Sequence, residues 1–338
     1  MIIVDRMLYL AIITLILFDC TALKAQGNFE VMFYNVENLF DTLDNPYTID
    51  EDYTPFGKLE YNTERFNNKA ANIASVINAS VDGGMPEIIG LCEVESTVAL
   101  DALFSQLNNA KQYTYLTSGT NDRRGIQNAL IVHQRFEIIE TEVHQVDLKK
   151  ERPTRPVFCV HLEDTQTKAR FWVIVNHWPS RYGGAEESNW KRMAASDVVL
   201  KTIATYRKQT SKSSIIVMGD FNDYPSNESL MNLERCKGKK DPCLTSVHKY
   251  LHEEGLGTHS YLGEWHIMDQ ILVSNHFLND SSNELKITPN SGTIVKHRWM
   301  LYENKEFNDF LPSRYFSRDG YFGGYSDHLP VLVKVMTN

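Results

Sequence analysis

The sequence predicts a layered α/β protein with mixed sheets. Short apolar runs rich in Val, Ile, Phe and Leu recur along the chain with helical stretches between them, the alternation expected of strands packed against helices. Two neighbouring runs, 127–133 and 136–143, are separated by only two residues, as in a hairpin, so antiparallel pairing is expected beside parallel pairing. In chain order, 29–34, 87–92, 127–133, 157–162, 171–175, 214–218 and 270–273 read as buried strands, and 329–335 as the last one. Residues 64–78 and 98–108 have helical composition. Trp190, Met193, Ala194 and Val198 recur at spacings of three and four, which marks about 185–206 as a long amphipathic helix. Arg181, Lys191 and Arg192 read as a solvated face, and 275–318 carries no pattern that assigns it. No Pro/Gly/Ser-rich tract divides residues 26–338, which read as one domain, and no repeat period points to a solenoid.

With 338 residues, 42% apolar and 23% charged, the chain has the balance of a folded protein and excludes a disordered tail or fibre. Lys+Arg is 34 against Asp+Glu 43, a net charge of −9, which excludes a globally basic nucleic-acid coat but not a local basic patch. At the N-terminus an apolar run at 8–18 follows Arg6 and is too short for a bilayer span, which takes about 20 residues. With a small residue at Ala25, residues 1–25 read as a signal peptide. Export to the periplasm or exterior is therefore expected, with no membrane span left after cleavage. In such a compartment Cys236 and Cys243, which bound a short polar loop, are expected to form a disulfide. Cys92 and Cys159 lie in strand-like runs, where a thiol behaves as a small hydrophobe.

Polar residues fall where the strands stop. The first run leads into Asn35-Val36-Glu37-Asn38, and Ile88-Ile89-Gly90-Leu91-Cys92 stops at Glu93. The run at 171–175 stops at Asn176-His177, and Ile215-Ile216-Val217-Met218-Gly219 at Asp220-Phe221-Asn222-Asp223. Asp269 opens one strand, and Asp327-His328 precedes the last. Ligand sites in layered α/β proteins lie outside strand ends, so these acids, amides and histidines suit one shared pocket. Carboxylates are hard ligands suited to Mg²⁺, Mn²⁺ or Ca²⁺, with Glu37, Glu93 and Asp327 as candidates. Histidines beside them can donate to phosphate or leaving-group oxygens, and an Asp–His pair fixes which ring nitrogen does so. No thiolate cluster, G-x-S-x-G elbow, Walker sequence or dinucleotide glycine pattern competes. Taken singly, each residue reads as a turn, a cap or a structural hydrogen bonder; their joint occurrence points to metal-assisted phosphoester hydrolysis.

Six segments in order carry a resemblance. Tyr34-Asn35-Val36-Glu37-Asn38-Leu39-Phe40, Gly90-Leu91-Cys92-Glu93-Val94-Glu95 and Asn176-His177-Trp178-Pro179-Ser180-Arg181 are the first three. Gly219-Asp220-Phe221-Asn222-Asp223, Met268-Asp269-Gln270-Ile271-Leu272 and Ser326-Asp327-His328-Leu329-Pro330 follow. From about residue 29 to 335 the chain thus resembles the endonuclease/exonuclease/phosphatase superfamily. The resemblance implies a four-layer α/β sandwich, two mixed sheets face to face with helices outside. It implies Glu93 as the main metal ligand, with Asn35 and Glu37 beside it and Asp327 completing an acidic rim. Asp220 would orient or deprotonate the attacking water, Asn222 hold the phosphate, and His328, held by Asp269, contact the scissile phosphate. His177 would assist the leaving oxygen or stabilise the transition state. Position 37 is Glu where abasic-site enzymes have Asp, and the histidine at 177 is nearer to the deoxyribonuclease arrangement. Met268-Asp269-Gln270 lacks the Cys-Asp-Arg of inositol phosphatases. Arg124, Arg155 and Arg181 are candidates to grip substrate phosphate, since a guanidinium fork matches its oxygens. The expectation is an exported, monomeric, Mg²⁺- or Mn²⁺-dependent phosphodiesterase acting on DNA or RNA. The alternative substrate is a phospholipid or small phosphate ester, which the acidic balance of the chain motivates.

Overall fold

Alternation along the central strands decides the layers. The computed structural model describes residues 27–210, 213–235, 244–279, 284–317 and 320–337, and within it successive residues of each central strand enter different cores. Strand β1 (Phe29–Leu39) pairs in parallel with β2 (Ile88–Val94), the crossover carrying helix α1 (Thr63–Asn78). Asn62 caps α1, its side chain accepting from the Arg65 amide. Strand β2 runs antiparallel to β4 (Gln127–His133), which holds β3 (Tyr113–Thr117) at its edge. On its other side β1 meets the C-terminal strand β19 (Val331–Thr337), which also takes the short strands β13 (Leu285–Lys286) and β14 (Thr293–Ile294).

The second sheet repeats the plan. Strands β5 (Phe136–His144), β6 (Val157–Asp164) and β7 (Arg170–His177) form an antiparallel meander. From β7 the chain crosses over through α3 (Asn189–Gln209) to the parallel strand β8 (Ser214–Asp220), and β12 (Asp269–Val273) and β9 (Thr245–Ser246) complete the sheet. Val31, Phe33, Ile88 and Leu130 of the first sheet share one core with Val160, Val173, Ile216, Met218 and Ile271 of the second. The outer face of the first sheet (Met32, Tyr34, Ile89, Leu91) packs on α1 and α2 (Thr97–Phe104). The outer face of the second (Cys159, Trp172, Ile174, Val217) packs on α3 and α4 (Glu228–Glu234). Helix, sheet, sheet, helix is the expected sandwich. Gly90 lets the sheets approach, because a Cβ there would lie 2.4 Å from Met218 Sδ.

The structure also supplies what the sequence left unread. Strand β3 carries no clear pattern, and 275–318 adds, beside β13, β14 and the core residues Phe277, Leu285 and Ile287, hairpins of its own. These are β15 (Leu301–Asn304) with β16 (Asp309–Pro312), and β17 (Phe316–Ser317) with β18 (Gly320–Tyr321). A further hairpin joins β10 (His259–Tyr261) to β11 (Glu264–His266). On α3 the buried face runs through Arg192, Ala195, Val199, Ile203 and Tyr206, while Trp190 stays 40% exposed. Arg192 is thus buried instead of solvated, because Asp223 neutralises it at 2.7 Å. The signal peptide at 1–25 and the Cys236–Cys243 pair lie outside the described residues. Cys92 and Cys159 are buried free thiols, and no helix among the described residues is long and apolar enough to cross a membrane.

Remote from the strand ends that gather the polar residues, Arg135 and Asp164 form a buried pair at 2.7 Å, and Arg135 also donates to the Asn28 carbonyl at 3.0 Å. Burial alone would raise the Asp164 carboxyl, but the Arg135 hydrogen bonds hold it below the usual value. A folded-state pKa below the unfolded one stabilises above the unfolded pKa and is lost as pH falls through the folded one. Wild-type protein is therefore expected to lose more unfolding free energy between pH 5 and about pH 2 than Asp164→Asn does. Urea titrations across that window check this, and equal acid limbs would remove the pair from the stability account.

Candidate active site

The site forms where strand ends of both sheets meet. In the second sheet His177 of β7 lies in register with Asp220 of β8, and Asp220 with Asp269 of β12, so three adjacent strands present their polar ends side by side. Gly219 permits this spacing, since a Cβ there would sit 2.5 Å from the Asn176 carbonyl oxygen. In the first sheet the ladder slips between Asn35 and Leu39 and again between Cys92 and Val94. Glu37, Asn38 and Glu93 have φ of 48°, 53° and 65°, left-handed conformations that non-glycine residues adopt at a cost of order 1 kcal/mol or more. These bulges re-aim side chains from the sheet faces toward its end. His328 bridges to His259 of β10 ahead of β19.

A continuous line of contacts results. Glu93 Oε1 lies 3.7 Å from His177 Nε2, which lies 3.7 Å from Asp220 Oδ2. Asp220 Oδ2 is 3.9 Å from His328 Nε2, and His328 Nδ1 meets Asp269 Oδ2 at 2.6 Å. Asp220 is oriented by two donors, the Asn222 amide on Oδ1 at 2.9 Å and Asn35 Nδ2 on Oδ2 at 3.0 Å; the latter bond ties the two sheets together. Asn222 Nδ2 donates to the Trp178 carbonyl at 3.0 Å.

The two histidines are driven to opposite states. Burial pushes His177 well below the ordinary imidazole value, with Arg155 and Arg124 adding to the effect, so it is neutral. Burial would lower His328 too, but Asp269 and then Asp220 raise it well above 6.5, so it is cationic at neutral pH. Burial also lifts Asp220 above the usual carboxylate range, against the pull of His328.

Glu37 and Asp327 sit apart from this line. Arg314, between β16 and β17, donates from Nε to Glu37 Oε1 at 3.2 Å and from an NH2 nitrogen to Asp327 Oδ2 at 2.9 Å. Glu37 Oε2 accepts the Tyr315 amide at 2.7 Å, and the fully buried Lys69 of α1 lies 3.9 Å away. Burial, then Asp327, pushes the Glu37 carboxyl up against both cations.

An open cavity of about 550 Å³ is lined by Glu93, His177, Asp220, Asn222 and His328 together with Asp122, Arg123, Arg124, Arg152 and Arg155. Arg124 reaches it partly exposed, while the buried Arg155 spends its guanidinium on Asp122 at 3.0 Å and the Trp178 carbonyl at 2.7 Å. Arg181 does not line the cavity. It is held by the Asn222 carbonyl at 2.9 Å, Asp223 at 2.9 Å and Asn227 at 2.6 Å, and stacks 3.8 Å over Tyr224. Sequence reading passed over Arg123, Arg152, Lys69, His259 and Arg314. Lys69 offered a signal, a charge on the apolar face of α1 between Phe66 and Ile73. Arg314 offered none, because its partner Glu37 is 277 residues away.

The donors fit a hard divalent cation. One Glu93 oxygen faces the cavity with only an imidazole nearby, and buried Asp269 Oδ1 and His177 Nδ1 have no hydrogen-bond partner. Ligand-type atoms of Asp220, Asp269 and His328 lie within 4.8 Å of one another, as do those of His259, Asp327 and His328. Against known proteins, a sequence model described as Endonuclease/Exonuclease/phosphatase family matches residues 30–337. The chain belongs to that family. It is accordingly a metal-dependent phosphoester hydrolase. No curated protein sequence matches it significantly. Solved structures share the family fold at low identity. An endonuclease/exonuclease/phosphatase family protein from Bacteroides thetaiotaomicron has a TM-score of 0.58 at 17% identity, covering 92% of this chain and 95% of that one. A mannosyl-6-phosphatase from the same organism has a TM-score of 0.56 at 17% identity, covering 91% and 99%. TDP2 from D. rerio, complexed with a single-strand DNA product, has a TM-score of 0.57 at 14% identity, covering 92% and 100%.

Proposed function

We propose that this family member hydrolyses phosphodiester bonds in DNA or RNA, and that it does so outside the cytoplasm, as its apolar leader supports. The observation that carries the substrate reading is the cavity itself, whose lining joins the catalytic-type residues to four arginines. Arg123 and Arg152 are exposed, and among the described residues no acidic side chain pairs with them. Tyr182, 93% exposed, adds an aromatic face at the same cavity, the combination that tracks a phosphate backbone and stacks a base. The D. rerio TDP2 structure holds a DNA product on the same fold.

In this mechanism Asp220, fixed by Asn35 and Asn222, takes a proton from the attacking water. His328, kept cationic by Asp269, donates to a phosphoryl oxygen, and the free N–H of Asn222 holds the same group. Neutral His177 donates a hydrogen bond to the leaving oxygen, which takes its proton from solvent. A divalent cation, Mg²⁺ or Mn²⁺, held by Glu93 and adjoining oxygens would offset the charge developing on the phosphoryl oxygens and acidify water. Single-stranded DNA, RNA, a generic phosphodiester and mannose 6-phosphate, each with and without chelator, form the test. Chelator-sensitive polynucleotide cleavage that weakens steeply with salt is the expected result. Turnover of the sugar phosphate without polynucleotide cleavage would replace this reading with the small-phosphoester one.

The pH profile follows from the two shifted groups. Activity falls at low pH as Asp220 takes up a proton, and at high pH as His328 loses its own, giving a bell. Asp269→Asn removes the largest raising influence on His328 and one of those on Asp220, so both limbs of kcat/KM are expected to move to lower pH. An unmoved alkaline limb would take His328 out of the acid role.

A further inference from the structure

We infer that Arg314 is a resident cation that takes the place of a second divalent ion, so that the site holds one metal ion, on the Glu93 side. This rests on the metal-dependent reading above. Three carboxylates, Glu37, Glu93 and Asp327, have the chemistry and position of metal ligands, but the structure divides them. Glu93 turns an oxygen to the cavity, whereas one guanidinium spans Glu37 and Asp327, at 3.2 Å and 2.9 Å. The second Glu37 oxygen is filled by the Tyr315 amide at 2.7 Å, with Lys69 at 3.9 Å. Both Glu37 oxygens are therefore engaged by the protein's own donors, and a metal there would have to displace a bridging cation and a backbone N–H.

The guanidinium is also placed by backbone. The Ser313 carbonyl accepts from the Tyr325 amide at 2.5 Å, and the Tyr315 carbonyl from the Phe322 amide at 3.0 Å. Gly324 runs so close that a Cβ would sit 2.5 Å from the Arg314 carbonyl oxygen. Lys69, on the far side of Glu37, donates to the Tyr325 carbonyl. Arg314 is thus fixed by the same Gly-Gly-Tyr segment that leads into Asp327-His328. A planar fork that joins two carboxylates this way does the charge-neutralising work of an ion without needing its coordination geometry.

Titrating the full chain with Mn²⁺ alone, by calorimetry and electron paramagnetic resonance, tests this without any turnover. Wild-type protein is expected to bind one ion with an uncoupled six-line spectrum. Glu93→Gln should weaken it more than 100-fold and Glu37→Gln less than threefold. Arg314→Met should admit a second ion and give a spin-coupled pair, whereas Arg314→Lys stays at one. Two ions in wild-type protein, equal losses in the Glu93 and Glu37 variants, or one ion in a folded Arg314→Met protein would each overturn the inference. The wild-type count and the Glu37→Gln affinity decide it even if Arg314→Met fails to fold. Two ions with intact phosphodiesterase activity would leave the proposed function standing, whereas no Mn²⁺ binding would sink both.

Discussion

Asp220→Asn is expected to lower the single-turnover rate on a polynucleotide by ~10³-fold, within the range measured for loss of a positioned general base. The change is isosteric and the carboxylate is only 2% exposed, so shape is kept while charge and proton affinity are lost. The oxygen facing the Asn222 amide is retained, but the other becomes an NH₂ opposite Asn35 Nδ2, a donor that had been 3.0 Å from an acceptor. That mismatch costs about 1 kcal/mol and is partly offset by removing one of two carboxylates that face each other in register across β8 and β12. The melting temperature is therefore expected to stay within a few degrees of wild type while the rate collapses. Rapid-quench kinetics with a thermal melt on the same sample separate the two readouts. A rate within tenfold of wild type would assign the base to another group.

Asp223→Ala is expected to act on stability instead, by about 3–5 kcal/mol, the size seen when one member of a buried ion pair is removed. Asp223 is fully buried and receives three partners: Arg192 at 2.7 Å, Arg181 at 2.9 Å and the Ser229 hydroxyl at 2.6 Å. Its loss leaves the Arg192 guanidinium, 1% exposed, with only the neutral oxygens of Ser188 and Ala185. Set against the 5–15 kcal/mol that typically holds a domain together, this is a large share. Arg192→Met combined with Asp223→Leu is expected to recover most of it, since both charges then leave the interior. Urea midpoints of the wild type, single and double variants measure the cycle. A single-variant loss below about 1 kcal/mol would show that Arg192 finds water.

The pair also marks where reading by pattern stops. Helix α3 was legible as a helix, yet its inward face was assigned to Trp190, Met193, Ala194 and Val198. Periodicity ranks residues by hydropathy, and Arg192 ranks as surface until Asp223, on a different element, neutralises it. The same holds for Arg181, which belongs to a legible motif but turns to Asp223 and Asn227 and away from the cavity. Strand β3 and the 301–321 hairpins escaped because edge strands are short and half-exposed, so alternation barely shows.

By itself the sequence determined the layered α/β class, the central strands, and the acids, amides and histidines at their ends. Those follow from local hydropathy, because a strand buried on both faces must be apolar until it reaches the rim, where polar groups regain solvent or ligand. Only the tertiary structure decided how those groups are shared. It left Glu93 facing the cavity. It also spent Glu37 and Asp327 on an arginine from a hairpin with no pattern of its own. Charge pairing across hundreds of residues is a property of distance in space, and no local spacing encodes it.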